Sequence, residues 1–429
     1  MNTELKLSTK FLTSQDAHQV GMLVTVGSEA PVERPPINVA LVLDRSGSMA
    51  GEPLEAAKDA AIAFTRFLSD ADRLSVVAFD DQVFPMWGPQ PAGDPMVEHV
   101  IRSIQPGGST NLSGGWLKGR ELVQQEIVQG TNRVLLLTDG CANCGITEDE
   151  QLAKLARGAQ SKSVSTTCVG FGAHFNEDLL QAMSDAGRGN YWYVEHSDQM
   201  GGIFDEEIEG LVALAGQNLE IVVRLTDPRV QGVTFLQDYP SRRLPDGSWH
   251  LVLGDLYATS PSTLGLIFHV DNVTELGQVQ LGEVQVSADH LVPEGIEHRE
   301  TTMPVVANLD GADHVEPEVE TTLVRFEAAR ARKEAVNQAD RGDFENAATM
   351  LREASAKLGE LPPTPHLADE IEDLEAEAQR MEEEQYDTRD RKYNMARSAA
   401  VCESRADYAD KISRRKRNKP SGTPRRKSQ

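Results

Sequence analysis

The sequence predicts an α/β protein: a doubly wound, mainly parallel sheet inserted in or followed by a small antiparallel β-sandwich, with an α-helical region at the C-terminal end. Three observations carry this. Between Ile37 and about Leu214, short apolar runs alternate with segments of helical period. From Asn218 to about Ala307 the apolar period becomes two. From about Pro317 it returns to that of helices.

In chain order, Val20 to Val26 alternates and reads as a strand, and Glu29 to Pro36 reads as a Pro-rich linker. Residues 1–36 are assigned to the sandwich, because termini on either side of an inserted domain often meet. Residues 37–214 form the doubly wound domain. Its strands are Ile37–Asp44, Arg73–Asp80, Arg133–Asp139, Ser163–Gly170 and Tyr191–Val194, and Val83–Trp87 is close enough to Arg73–Asp80 for a hairpin. Helices are expected over 53–64, 95–104, 117–128, 176–186 and 200–214, with one more before Ser163. Residues 215–307 are the sandwich, with Leu219, Ile221, Val223 and Leu225 alternating with polar residues. Residues 317–400 read as a helical hairpin or short coiled coil, with Leu367, Ile371, Leu374, Ala378 and Met381 at its seam. Residues 401–429 are a basic tail expected to be disordered.

Charge and cysteine usage narrow the function. The formal net charge is −25, and Lys411 to Gln429 holds nine Lys and Arg with no acid, so the preceding residues carry −34. Such an acidic body repels phosphates and argues against nucleic acid as its partner, while the basic tail suits an acidic surface, whether nucleic acid, a partner or this chain's own acidic helices. No apolar run is long enough to span a membrane and no basic-then-apolar leader opens the chain, so a cytoplasmic protein is expected. The four cysteines, Cys141, Cys144, Cys168 and Cys402, do not make a disulfide framework. Cys141-Ala142-Asn143-Cys144 lacks the second ligand pair that a zinc site requires and reads as a loop.

The chemistry concentrates at three points. Asp44-Arg45-Ser46-Gly47-Ser48 follows the first buried strand, Thr110 lies in Gly107-Gly108-Ser109-Thr110-Asn111, and Asp139 ends the strand Leu135-Leu136-Leu137-Thr138. In a doubly wound sheet these strand ends open on one crevice. Two carboxylates and three hydroxyls suit a hard divalent cation, magnesium first, with manganese or calcium as alternatives. Taken alone, Asp44, Ser46 and Ser48 would be an N-cap cluster and Ser109 and Thr110 a turn, but the five together exceed either reading. Neither GxxxxGK[ST] nor a post-strand GxGxxG is present, so no nucleotide cradle is predicted.

These motifs resemble those of the von Willebrand factor A-type domain with its metal-ion-dependent adhesion site. DxSxS corresponds to Asp44, Ser46 and Ser48, the threonine to Thr110, and the second aspartate to Asp139. Thr167-Cys168-Val169-Gly170-Phe171-Gly172 and the helix from Asn176 are similar to the family's next strand and helix, and the flanking regions resemble bacterial multi-domain members. The resemblance implies a Rossmann-like sheet and a non-enzymatic adaptor or scaffold that grips a partner's Asp or Glu carboxylate through the metal. An AAA+ ATPase, a kinase or a phosphatase is the kind of partner that bacterial relatives imply. The alternatives are a magnesium-dependent hydrolase or phosphotransferase, against which the lack of an evident base or nucleophile counts, and a self-associating structural protein with a vestigial site. Arg341-Gly342-Asp343 reads as a turn between helices rather than an adhesion tripeptide, and the acidic run from Asp369 to Glu384 as a solvated helix face.

Overall fold

The chain crosses from a hairpin into a parallel sheet and back. The computed structural model describes residues 1–12, 17–29, 34–172, 174–271, 277–292, 295–309, 312–383 and 385–402. Strands β1 (Asn2–Leu12) and β2 (Ala17–Gly27) form an antiparallel hairpin. The doubly wound part follows, with strands β3 (Ile37–Asp44), β4 (Arg73–Phe79), β5 (Val83–Pro91), β6 (Thr131–Thr138), β7 (Ser165–Phe171) and β8 (Arg188–Val194). Their spatial order is β5-β4-β3-β6-β7-β8, parallel throughout except for β5. Every residue of β3 and β6 is buried, which is why Val39 to Leu43 and Val134 to Leu137 are apolar runs without alternation. β5 carries Pro85, Pro89 and Pro91, none of which can donate to a ladder, and it lies at the sheet edge.

The helices of this part are α1 (Glu52–Thr65), α2 (Met96–Arg102), α3 (Leu112–Gln125), α4 (Asp149–Gln160), α5 (Glu177–Gly187) and α6 (Met200–Val212). α3 starts at Leu112, five residues before the expected Leu117, because the Asn111 side chain caps it by accepting from the Gly114 amide. β8 starts at Arg188, three residues earlier than the apolar run suggests.

Strands β9 (Leu214–Leu225), β10 (Val230–Phe235), β11 (Ser241–Arg243), β12 (Trp249–Tyr257), β13 (Ser262–Val270), β14 (Gly277–Val292) and β15 (Gly295–Leu309) complete two antiparallel sheets, β1-β2-β13-β10 and β11-β12-β9-β14-β15. Val20, Met22, Val24 and Val26 of β2 join Ile221, Val223, Leu266, Phe268, Val284 and Val286 in one apolar cluster. Because β2 pairs with β13 across the whole parallel sheet in sequence, the doubly wound part is an insertion in the sandwich.

Four helices end the described chain: α7 (Pro317–Asp340), α8 (Phe344–Gly359), α9 (Pro365–Glu382) and α10 (Thr388–Cys402). Arg341-Gly342-Asp343 is the α7–α8 turn. Gly342 has φ of 83°, a conformation that favours glycine, and the Asp343 side chain caps α8. The acidic run differs from expectation. Glu370, Asp373 and Glu377 of α9 are buried, and Asp373 accepts from Arg397 and Tyr393, while Glu377 accepts from Asn394 and Arg380. One face of α9 is therefore the seat of α10, which falls in the expected helical region 317–400. Residues 403–429, which include nearly all of the basic tail, lie outside the described residues. Among the described residues no helix is long and apolar enough to cross a membrane.

Candidate metal centre

β3 is the switch point of the sheet, with β4 on one side and β6 on the other, and the carboxyl ends of β3 and β6 open on one crevice. Asp44 ends β3 and is fully buried. One carboxylate oxygen accepts from the Ser46 amide at 2.7 Å, and the other from the Thr138 hydroxyl at the end of β6. The Ser46 and Ser48 hydroxyls stand 3.2 Å apart, and Ser48 donates to Asp139 at 2.8 Å. Ser46, Thr110 and Asp139 are buried, and Ser48 is exposed at the rim. Thr110 lies against the residue after Asp139, since a methyl group placed on Gly140 would meet its hydroxyl at 3.0 Å. The five predicted oxygens thus gather at one place. Four of them are joined through the chain Ser46–Ser48–Asp139 and the Ser46 amide to Asp44. The Thr110 hydroxyl makes no hydrogen bond among the described residues.

Two buried carboxylates here have no ion-pair partner among the described residues. Burial lifts the Asp44 carboxyl to about 6, with a contribution from the Asp139 charge that its hydrogen bonds from Thr138 and Ser46 do not cancel. Burial also raises Asp139, despite the hydrogen bond from Ser48. A buried acidic pair flanked by neutral hydroxyls is short of positive charge. The donor set, oxygen only, fits a hard divalent cation, with Asp44, Asp139, Ser46, Ser48 and Thr110 as the residues to hold it.

Other residues hold this arrangement in place, and sequence spacing does not reveal them. The Arg45 guanidinium pairs with Asp80 at 2.6 Å, lies over the Phe84 ring at 4.3 Å, and donates to the Gln105 carbonyl. Asp80 also accepts from the Gln82 and Gly108 amides, so its carboxyl sits below the ordinary range although burial pushes the other way. Backbone bonds Gly47 to Gly108 and Gly107 to Arg45 stitch the two loops together. Gly107 is required there, because any side chain would collide with Asp80. Asn143 accepts from the Thr110 amide at 2.9 Å, and the Asn143 and Cys144 amides both donate to the Thr110 carbonyl. The Cys141-Ala142-Asn143-Cys144 segment thereby grips Thr110. Both thiols are free, and Cys141 donates to the His174 carbonyl at 2.9 Å. The one available signal was the acid at Asp80, at the carboxyl end of the strand beside the switch point.

Fold and crevice together define a domain class. Residues 38–206 match the family model of the von Willebrand factor type A domain, and this part of the chain is such a domain. Over a longer stretch the chain is 26% identical to the uncharacterized protein sll0103 of Synechocystis, an alignment covering 80% of this chain and 83% of that one. It is 29% identical to human inter-alpha-trypsin inhibitor heavy chain H3 across 43% of its length, which spans only 22% of that relative. Among solved structures, a von Willebrand factor type A protein from Catenulispora acidiphila superposes with a TM-score of 0.65 at 15% identity, covering 86% of this chain and 89% of that one. The ArnB paralog VWA2 from Sulfolobus acidocaldarius gives 0.56 at 15% identity, covering 89% and 97%. At these identities the two structures share the fold.

Proposed function

We propose that this chain is a non-enzymatic protein-binding module that holds a divalent cation, magnesium in the first instance, on Asp44, Ser46, Ser48, Thr110 and Asp139, and uses it to grip an Asp or Glu carboxylate of a protein partner. The doubly wound part, residues 37–214, is the binding unit. Residues 1–36 with 215–307, and the helices of 317–400, are its frame. The observation that carries this reading is the pair of buried carboxylates that form no ion pair among the described residues, with only the charge of His174 acting on Asp139. Uncompensated buried charge of this kind is costly, and a bound dication removes the cost. Neutral hydroxyls supply the remaining donors, so an open coordination position on the ion, rather than a further carboxylate of this chain, is there for an anionic side chain to fill.

Titrating MgCl2 into the full chain tests the reading directly. Saturable one-site heat is expected, lost in Asp44→Ala and in Asp139→Ala. Partner capture on the immobilised full chain should then require Mg2+ and be released by chelator. Capture that survives both chelation and Asp44→Ala would overturn the metal-bridged mechanism.

A further inference from the structure

Away from the metal centre, a cavity of about 470 Å³ opens where the three parts of the molecule meet. Asn190 and Trp192 of β8, Glu209 of α6, Asp255 and Tyr257 of β12, and Met395 of α10 all contribute to its wall. A cavity of this size at a junction of structural units is large enough to enclose a small organic ligand.

The wall has a definite electrostatic sign. At its back, one buried cation serves two buried carboxylates. Arg133 of β6 pairs with Glu207 of α6 at 2.8 Å and with Asp255, and all three side chains are more than nine-tenths buried. Glu207 is fully satisfied, accepting from Arg133 and Thr167 on one oxygen and from Asn190 and Trp192 on the other. Asp255 is not. Arg133 and, at 3.4 Å, the Tyr257 hydroxyl reach one of its oxygens, and among the described residues no hydrogen bond reaches the second. The trio therefore carries a surplus negative charge, and Asp255 is the member that lines the cavity.

Among the described residues, the cations of the lining have partners of their own, and Arg188 acts on Asp255 without a hydrogen bond to it. Among the described residues, five carboxylates and three cations line the cavity, and Asp185 and Glu206 make further contacts of their own. Arg188 is committed to Asn218 and Glu220, and Lys333 to Asp238 at 2.8 Å, while Arg330 donates weakly to the Phe235 carbonyl. Burial raises the Asp255 carboxyl even with Arg133 beside it, as expected of a group short of one more positive partner. Trp192 and Tyr257 also line the cavity, and aromatic rings in a wall suit an organic cation better than a hydrated metal ion.

We propose that this cavity binds a small organic cation, a protonated amine or guanidinium on a short apolar stem, with Asp255 as its charge partner. That chemistry has two sources: a free amine or guanidine compound, or the basic side chains of Arg414-Arg415-Lys416-Arg417 in this same chain.

Agmatine, which carries both groups, is the probe. It is titrated calorimetrically at constant ionic strength into the full chain and into a full chain with Arg414, Arg415, Lys416 and Arg417 all replaced by Gln. Saturable binding that Asp255→Asn weakens by about tenfold or more is expected, since truncating a buried charge partner costs that much. Should Asp255→Asn fail to fold, Glu209→Gln at the exposed rim leaves the Arg133 cluster untouched and should weaken binding in the same direction. Equal affinity in the two chains identifies a free cation as the ligand. Binding seen or tightened only in the four-site variant identifies the chain's own basic segment as the occupant. No saturable binding in either chain, or binding that neither Asp255→Asn nor Glu209→Gln weakens, overturns the proposal.

Discussion

The Thr138 hydroxyl is the group on which the buried Asp44 carboxylate most depends. It donates to one Asp44 oxygen, the Ser46 amide donates to the other, and among the described residues no cationic side chain pairs with it. Thr138→Val keeps the shape and removes only the donor, leaving a buried carboxylate oxygen unpaired. The expected loss is about 1–3 kcal/mol of unfolding free energy, read from urea curves with an unchanged slope. If the midpoint does not move, the hydroxyl is not holding the carboxylate. This dependence shows what spacing can and cannot reveal. Asp44, Ser46, Ser48, Thr110 and Asp139 stand out in the sequence because oxygen side chains follow strand ends at short intervals. Thr138 looks there like any β-branched strand residue, and the Arg45–Asp80 pair joins positions 35 apart with no local pattern. Such contacts exist only once strands are neighbours.

Two elements illustrate how a loop or strand acts on its surroundings. The loop from Asp139 to Gly145 grips Thr110 by three hydrogen bonds, one of them to the Asn143 side chain. Asn143→Ala removes that acceptor at the solvent-facing edge of the domain. Magnesium affinity is expected to fall by about tenfold, the scale of outer-shell changes at metal sites, while the unfolding midpoint shifts little. Calorimetric titration of both proteins reads the first, and parallel affinity with wild type would refute the role of the loop. In β14, His290 is buried, and the Ser28 hydroxyl lies 3.4 Å from its Nδ1. Burial holds its pKa down at about 4, helped by the positive charges of the amino terminus and Arg299 and opposed by Glu297 and Asp289. The unfolded chain protonates this ring near 6.5. Between pH 6.5 and 4 the unfolded state therefore binds the extra proton, and stability falls as pH falls through that window. Urea midpoints of wild type and His290→Gln at pH 7 and pH 5 should diverge, with the wild type losing more. The strands carrying these features were readable because burial on one or both faces leaves a period in the sequence. α10 was readable only as part of the helical region 317–400, because its buried residues mix Tyr393, Met395, Ala396, Ala400 and Val401 with Asp390, Lys392, Asn394 and Arg397, so that no apolar stripe marks its face.

At the scale of the molecule, buried ion pairs fasten the doubly wound part to its neighbours on two sides. Arg133, Glu207 and Asp255 bridge it to the sandwich, and Glu177 bridges it to α10. Lys392 of α10 is wholly buried. It donates to the Phe175 carbonyl at 2.6 Å, lies 3.7 Å from the Phe175 ring centre, and pairs with Glu177, which Arg391 also reaches. Burial pushes the Glu177 carboxyl up, but Lys392 and Arg391 outweigh it and hold it below its ordinary range. Removing one charge of such a pair strands the other in a low dielectric, whereas removing both lets neutral groups pack. Lys392→Met should therefore cost about 3 kcal/mol, and Glu177→Gln in the same chain should recover a large part of that loss. Arg391 keeps an acidic neighbour in the double variant, since it also pairs with Asp178 and Asp340. Unfolding free energies of the two single variants and the double variant decide the matter. Strictly additive losses would mean that the Lys392–Glu177 contact does not hold α10 to the doubly wound part. A recovery, together with faster amide exchange confined to α10 in Lys392→Met, would identify the Lys392–Glu177 contact as the joint through which the helical region is set against the domain that carries the metal centre.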